Sequence, residues 1–560
     1  MRDPDELRIG SLRLTPGWIL LSLMLLAVVL RVVIILVARP MIQFDETSYV
    51  RMAQNLAEGN APFGISGRST THYTLLLPVL ITAVGTLVRD HVAAGYAVVT
   101  AFGALMLVPA YLIGKFFYSR RVGLMAAALL AVMPIFISTP EYIYPETIYI
   151  FFLLSAAFFG WQMLNRMRVQ CSVFTGLSLG FAYLASPLAV VYLPMMVFLA
   201  VAVALKRRRW KLPLRSLGLM LTMFALVAAP YVVYLHHELG EWTYTGKKSF
   251  GHDYYASSHG LVRGTVEWDH EIMRLNDEGT EVLTLSPEFE ISPVDELLHR
   301  PAQVLKVFLK QSLYFYNEIL FKLFPLWLLP LLGLGLFAAA WDRTRLRQNA
   351  YLFLWILPAV PVTAMLAFTR FYMPYLPFVL VWTAVGWKRL EGWGRETVQL
   401  TLSERRQALP LRLEPWVIAA LVILPLAAFG LGQALRADHH LSYREAGLWL
   451  KQEAGEGRRV MYREEAAFYA GGTLVPLPYA DYESTTRYAR QQGVDFLIIS
   501  QADIGEWRPD LAPLLEDDTR PADWELVHTI AGENGDETFI FKLEPEFGAG
   551  GGRRSAAAAG

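Results

Sequence analysis

Only one cysteine, Cys171, stands among the 560 residues, so the chain has no internal disulfide and is not a disulfide-stapled scaffold. Charge is scarce as well. Asp, Glu, Lys and Arg make up 18% of the residues, against about 25% in an ordinary soluble protein. The 50 basic and 50 acidic side chains cancel, which removes the basic face that a nucleic-acid partner requires. There is neither a Walker A loop nor a Rossmann glycine fingerprint, so a nucleotide-driven reaction has no support. What remains is apolar: 54% of the residues are hydrophobic, with 31 Phe, 26 Tyr and 15 Trp. That composition excludes a disordered chain and leaves lipid as the solvent that would cover much of it.

Apolar runs recur from residue 18 to residue 434. The first, Trp18 to Val37, is too long for the apolar core of a signal peptide and is followed by no small-residue cleavage site, so it reads as a retained first span. Ten more spans read at 92–114, 122–139, 143–163, 172–185, 187–205, 216–235, 323–341, 350–368, 371–389 and 414–434. The run Tyr73 to Val88 falls short of the roughly 20 residues that cross a bilayer. Basic clusters lie at Lys115/Arg120/Arg121, Arg166/Arg168, Lys206–Lys211, Arg343/Arg345/Arg347 and Lys388–Arg406. The positive-inside rule puts them all in the cytoplasm only if 73–88 lies on the outer face as a surface helix; a crossing there would invert the clusters.

The expectation is a polytopic all-α membrane protein with about eleven transmembrane helices. Residues 1–17 would be cytoplasmic, 18–434 the membrane domain with outer loops 39–91 and 236–322, and 435–547 a small extracytoplasmic α/β domain. Between Asp438 and Glu546 there are 10 Lys/Arg and 22 Asp/Glu, a net of −12. Helical periodicity covers Tyr443–Glu453, Glu464–Tyr469 and Glu483–Gln492, and strands are expected at Arg459–Tyr462, Phe496–Ile499, Trp524–His528 and Thr538–Leu543. This domain has no clustered His/Cys ligands and no nucleophile motif, and packing or acceptor positioning is its expected role. The Gly/Ala/Arg-rich tail 548–560 is expected to be disordered.

Chemistry-bearing residues collect at the outward turns. Asp45-Glu46 follows the first span, and Asp45 suits either a helix cap or a functional carboxylate. Glu141 and Glu146 flank the next outward turn, and Arg370 stands at a third, in Thr369-Arg370-Phe371-Tyr372-Met373-Pro374. Carboxylates and an arginine on one membrane face suit a reaction in which a carboxylate deprotonates a hydroxyl and a cation holds a phosphate leaving group. Tyr244, Lys247, Lys248, His252 and Tyr254 form a basic-aromatic cluster in the large outer loop, suited to phosphate or sugar or to lipid headgroups. Arg31, inside the first span, would snorkel or reach a headgroup.

Phe44-Asp45-Glu46-Thr47-Ser48-Tyr49 with Ala53 and Leu56, Tyr118-Ser119-Arg120-Arg121-Val122-Gly123-Leu124, Glu146, and Arg370-Phe371-Tyr372-Met373-Pro374 occur in that order. On these residues the chain resembles the GT-C glycosyltransferase superfamily from about Arg31 to Glu396, nearest the branch of protein O-mannosyltransferases and the lipid A aminoarabinose transferase. The resemblance implies an inverting transfer of sugar from a polyprenyl-phosphate donor to a hydroxyl of a glycan, lipid or protein acceptor, in the plasma membrane of a prokaryote. It implies Asp45 as general base and Glu46 and Glu146 as residues that orient the acceptor or a divalent cation, Mg or Mn. Arg370 would hold the donor phosphate, with Tyr372 beside it; from the loop cluster Lys247 and His252 are further candidate donor contacts, and His72 suits either a phosphate or acceptor contact or an ordinary interfacial histidine. Where relatives carry a Pro-Pro pair, this chain has Thr71-His72-Tyr73-Thr74. Three rival readings stand beside it, one of them a non-catalytic scaffold. A lipid-linked sugar flippase shares the lipid-phosphate ligand but needs no base. A secondary transporter would show mid-membrane charges and matching halves.

Overall fold

The computed structural model describes residues 7–9, 12–67, 71–138, 142–166, 168–208, 211–247, 254–255, 257–261, 265–283, 293–365, 368–404, 415–434, 441–516, 521–532 and 535–545. Glu141, Lys248, His252 and the tail 548–560 lie outside them. The chain divides into two units. One comprises Met1–Gly64, Ser69–Gly260 and Phe289–His439; the other comprises Ile65–Arg68, Leu261–Glu288 and His440–Gly560.

The first unit is a helical bundle preceded by an antiparallel pair, β1 (Leu7–Ile9) and β2 (Leu12–Leu14). Its first helices are α1 (Pro16–Ala38), α2 (Asp45–Ala57), α3 (Leu76–Val88), α4 (His91–Leu105), α5 (Leu107–Phe117), α6 (Arg120–Val132), α7 (Pro134–Ser138), α8 (Glu146–Arg166), α9 (Val169–Ala185), α10 (Tyr192–Arg207) and α11 (Lys211–Leu239). Among the described residues, five helical stretches are long and apolar enough to cross a membrane: Pro16–Ala38, His91–Phe117, Glu146–Arg166, Pro187–Arg207 and Pro213–Leu239. The chain is thus an integral membrane protein by the length and composition of its helices.

Helices stand at every expected span, but prolines divide several of them. The residue before a proline is driven out of the α region. Met133, before Pro134, has ψ 126° and separates α6 from α7. Ser186, before Pro187, has ψ 124° and ends α9. Phe324, before Pro325, has ψ 105°, and there the helical run Pro301–Leu323 turns by 82° into Leu326–Phe337. Residues 301–322, read from sequence as outer loop, are therefore helical. The short helix α3 has 13 residues, about 20 Å at 1.5 Å per residue, which is less than a bilayer core. Arg89 ends it in the left-handed region (φ 61°), and Asp90 caps α4 by accepting from the Val92 and Ala93 N–H groups at 2.9 and 3.0 Å.

The basic clusters gather at one end of the bundle. Asn165 near the end of α8 accepts from Arg347 through Oδ1 at 3.2 Å and from Arg207 through its carbonyl at 3.1 Å. Arg121 pairs with Glu391 at 2.6 Å, and Lys388 donates to Ser119 Oγ at 2.9 Å. Helix α8 runs from these contacts to Glu146 over 21 residues, about 30 Å, so the acidic turn and the basic clusters occupy opposite ends. Arg31 departs from the snorkelling expectation: it is fully buried, donates to the Ala27 carbonyl at 2.9 Å, and lies over Gly103 of α4.

Helices Leu329–Phe337 and Leu376–Glu404 touch backbone to backbone. A Cβ on Gly386 would lie 1.7 Å from the Leu331 carbonyl oxygen, and one on Gly335 would lie 1.9 Å from that of Trp382. Close approach through small residues is how membrane helices gain packing contact. Gly386→Val is expected to cost more than about 3 kcal/mol, because the obstacle is backbone that cannot yield. Gly392→Val, with nothing within 4 Å, is the control. Folded yield and melting temperature after detergent extraction report both.

The second unit is a five-stranded sheet in the order β4-β3-β5-β7-β6, formed by β3 (Arg459–Tyr462), β4 (Thr473–Val475), β5 (Phe496–Ser500), β6 (Trp524–Ala531) and β7 (Glu537–Leu543). β3 pairs in parallel with β4 and β5, while β7 runs antiparallel to β5 and β6. All five residues of β5 are buried, as a continuous apolar run in a covered central strand requires. The core holds Met461, Leu497, Ile499, Leu511, Trp524 and Phe541. The unit also includes two segments that the sequence placed in the outer loops. The Leu474 N–H donates to the Ile65 carbonyl at 2.9 Å, and the Tyr479 N–H to that of Met273 at 2.7 Å.

Candidate active site

Asp45 opens helix α2 without capping it. The preceding Phe44 has φ 49° and ψ −135°, a strained backbone for a residue with a side chain. The turn is held by Thr47 Oγ1, which donates to the Phe44 carbonyl at 2.7 Å. Thus positioned, the Asp45 carboxylate leaves its own helix. Arg370 Nη1 donates to Asp45 Oδ2 at 2.8 Å, and the Tyr73 hydroxyl donates to Oδ1 at 3.1 Å. Both oxygens are engaged, across 325 and 28 residues of sequence.

Arg370 sits in the short helical turn Thr369–Tyr372. Its guanidinium lies 5.2 Å over the Tyr144 ring and 5.1 Å over Phe371, two cation–π contacts that hold it beside Asp45. Tyr73 packs edge-on against Tyr49 at 5.0 Å and against His72 at 5.1 Å. Lys247 reaches the same place because Gly246 lies directly on Thr71, where a Cβ would come within 2.4 Å of the Thr71 carbonyl oxygen. Both strands of this contact are tied to α9: Thr74 Oγ1 donates to the Ala185 carbonyl at 3.0 Å, and the Tyr183 hydroxyl donates to that of Tyr244 at 2.6 Å.

Asp45, Tyr49, His72, Thr74, Lys247, Arg370 and Phe371 line one open cleft of about 670 Å³, its mouth included, together with Tyr149, Pro187, Leu188 and Pro374; Tyr73 and Tyr144 stand behind it, against Asp45 and Arg370. Of the residues singled out from sequence, the cleft takes Asp45, Glu146, Arg370, His72 and Lys247. Glu146 begins α8, where a carboxylate complements the helix dipole, and its Oε2 is buried without a hydrogen-bond partner among the described residues. Glu46 is fully buried and does not line the cleft. Tyr372 is not part of the lining either; its hydroxyl donates to Thr363 Oγ1 at 3.0 Å and its ring packs 4.4 Å from Phe315. His252 is outside the described residues. Sequence reasoning passed over Tyr73, Tyr144 and Phe371 as site residues, since uncharged aromatics in an aromatic-rich chain give no local signal.

The cleft is electrostatically sorted. Burial alone would raise the Asp45 pKa, but the charges of Arg370, Lys247 and His72 and the Arg370 hydrogen bond outweigh it and lower the value to about 2. Arg370 is disfavoured by burial, then raised above its ordinary value by Asp45 and Glu146. Burial, followed by Glu46 and Asp45, keeps the Tyr144 phenol well above its usual range and therefore neutral. The folded-state value of Asp45 lies below the unfolded one of about 3.9. The pair's stabilisation is therefore complete above about pH 4 and lost as pH falls toward 2. Melting of the wild type should fall across that window more steeply than melting of Asp45→Asn; parallel curves would contradict the pairing.

Residues 72–234 match the family model described as dolichyl-phosphate-mannose-protein mannosyltransferase. No curated protein matches the chain in sequence. Among solved structures, ArnT from Cupriavidus metallidurans bound to undecaprenyl phosphate aligns with TM-score 0.54 and 12% identity, over 94% of this chain and 98% of that one. The Archaeoglobus fulgidus oligosaccharyltransferase in complex with Zn and sulfate aligns with TM-score 0.54 and 14% identity, over 94% and 73% of the two chains. The same organism's AglB, with an inhibitory peptide and a dolichol-phosphate, gives TM-score 0.51 and 12% identity over 94% and 74%. The fold of this chain is the GT-C fold.

Proposed function

We propose that the protein is an inverting glycosyltransferase that moves a sugar from a polyprenyl-phosphate donor to an acceptor hydroxyl at the extracytoplasmic face of a prokaryotic plasma membrane. The observation that carries the reading is the Asp45–Arg370 pair, 2.8 Å long, in a cleft shared with Lys247, His72 and Glu146. A carboxylate beside three cationic or cationisable side chains suits a reaction that removes a proton at one atom and releases a phosphate at another. The match of residues 72–234 to a lipid-phosphate-sugar transferase family, and the fold shared with a protein crystallised with undecaprenyl phosphate, favour the same donor class.

In this reading Asp45 takes the proton of the acceptor hydroxyl, whose oxygen attacks the anomeric carbon from the face opposite the phosphate. The bond between the anomeric carbon and the phosphate oxygen breaks, and its electron pair leaves with the polyprenyl phosphate. Arg370, Lys247 and His72 match that charge. Before donor binds, Arg370 holds Asp45 at about 2, too low for an effective base. A donor phosphate competes for the guanidinium, and as Arg370 turns to it Asp45 regains basicity. Glu146, whose Oε2 meets no hydrogen-bond partner among the described residues, orients the acceptor. Tyr372 supports the Arg370 turn through Thr363. Glu46 is buried off the cleft, and no step is routed through the divalent cation admitted by the sequence.

The topology that goes with this is eleven spans with the N-terminus inside. The cleft end and the C-terminal α/β domain then lie outside, the basic clusters lie inside, and α3 rests on the outer surface. Membranes supplied with labelled polyprenyl-phosphate sugars test the reading: label should appear on a second molecule with the opposite anomeric configuration. Label that stays on the lipid, or moves with retention, would contradict it.

A further inference from the structure

Two arginines and three tyrosines crowd one edge of the α/β unit's sheet. The chain leaves β3 for β4 on one side, and leaves β5 for β6, beyond β7, on the other. The carboxyl ends of β3 and β5 therefore flank a topological switch point, the place where open α/β sheets bind ligands. Tyr462 closes β3 with φ 102°, a left-handed backbone that is costly for a bulky residue and clusters at ligand sites. Arg463 follows it, donating to Asp503 Oδ1 at 2.7 Å and lying 4.7 Å over the Tyr462 ring. Asp503 also accepts from the Tyr443 hydroxyl. Arg508 is 4% exposed and lies 5.1 Å over the Tyr479 ring. Among the described residues its Nε and Nη2 meet no hydrogen-bond partner, and neither does Arg463 Nε.

The two guanidinium groups differ in how their charge is met. Burial lowers Arg463, but Tyr462, Asp503 and Tyr443 outweigh it and the net direction is upward. For Arg508 burial prevails over Tyr462, Asp510, Tyr479 and Asp269, and the net direction is downward. A buried cation with two N–H groups unmatched is costly. It is kept here in a stretch, Asp438 to Glu546, that holds only 10 Lys/Arg against 22 Asp/Glu. Such a cation is explained by an anion that completes it.

We propose that the carboxyl ends of β3 and β5 form an oxyanion-binding site in which Arg508 and Arg463 receive a phosphate or carboxylate group of a ligand. The forked N–H groups of arginine match both groups. Tyr462, Arg463 and Tyr479 are partly exposed, so the group is approached from this edge of the sheet. The site belongs to the α/β unit alone and does not depend on the donor chemistry.

The test uses the full chain in lipid nanodiscs, carrying Arg370→Gln to weaken anion binding in the membrane-unit cleft. Inorganic phosphate and glucuronate are titrated in separate arms, which separates phosphate from carboxylate ligands. Binding of either anion that Arg508→Gln weakens at least tenfold is the expected result. Equal binding by a normally melting Arg508→Gln chain would overturn the proposal. Hydrogen exchange on the chain without the Arg508 change decides independently of that variant's folding. Either anion should slow exchange in 459–463 and 500–508, and no change with both would overturn it.

Discussion

Asp45→Asn is expected to lower sugar transfer by about 10²- to 10⁴-fold, the range in which a general base contributes, while donor binding is kept or strengthened. Asparagine preserves the size of the side chain and an oxygen able to accept from Arg370 or Tyr73, so the turn after Phe44 keeps its shape. It removes the one property the reaction uses, the capacity to take a proton. Removing the negative charge also releases Arg370 from its 2.8 Å pair and leaves the guanidinium freer for a donor phosphate. Single-turnover transfer and donor titration separate the two effects. Activity within about threefold of wild type would remove Asp45 from the chemistry and favour a lipid-carrying role for the cleft.

Arg370→Gln is expected to act on both halves of the reaction, weakening donor binding and lowering the chemical step, with a combined loss of about 10²- to 10³-fold. Lysine should rescue little, since a compact ammonium lacks the planar fork that reaches Asp45, Tyr144 and Phe371 together. A second readout distinguishes the electrostatic role from a structural one. Without Arg370 the largest remaining influence on Asp45 is burial, which raises its pKa. The acid limb of the pH–rate profile should therefore move to higher pH. The double variant Asp45→Asn/Arg370→Gln should lose less than the two single losses combined, because the residues form one contact. An unmoved acid limb in Arg370→Gln would mean that the pair does not set the basicity of Asp45.

The fold was legible where the sequence repeats its signal. Helices stand at every apolar run from Trp18 to Ala434, and β3 and the helix Glu464–Tyr469 begin and end where their patterns do. Less legible was continuity. The 82° turn after Leu323 follows from Pro325 acting on Phe324, yet apolarity counted alone reads straight through it. Strand β4, three residues long, is too short for an alternation to register. The segments Ile65–Arg68 and Leu261–Glu288 belong to the α/β unit through backbone contacts, which no side-chain pattern announces.

The candidate site divides in the same way. Asp45, Glu146 and Arg370 were found because a charge at the end of an apolar span is costly and therefore conspicuous. Tyr73 was not, because a tyrosine opening an apolar run looks like packing until its hydroxyl is seen at 3.1 Å from Asp45. Lys247 depends on a remote fact, the missing Cβ of Gly246 against Thr71. Glu46 shows the converse: adjacency to Asp45 in sequence places it on another side of the helix, fully buried.

The most direct measurement uses purified protein in lipid vesicles with a panel of labelled polyprenyl-phosphate sugars and a membrane-derived acceptor fraction. One label should leave its lipid, release an equal amount of polyprenyl phosphate and arrive on the acceptor with inverted configuration, in the wild type and not in Asp45→Asn. A label that crosses the vesicle membrane still attached to its lipid, equally well in both proteins, would contradict the account.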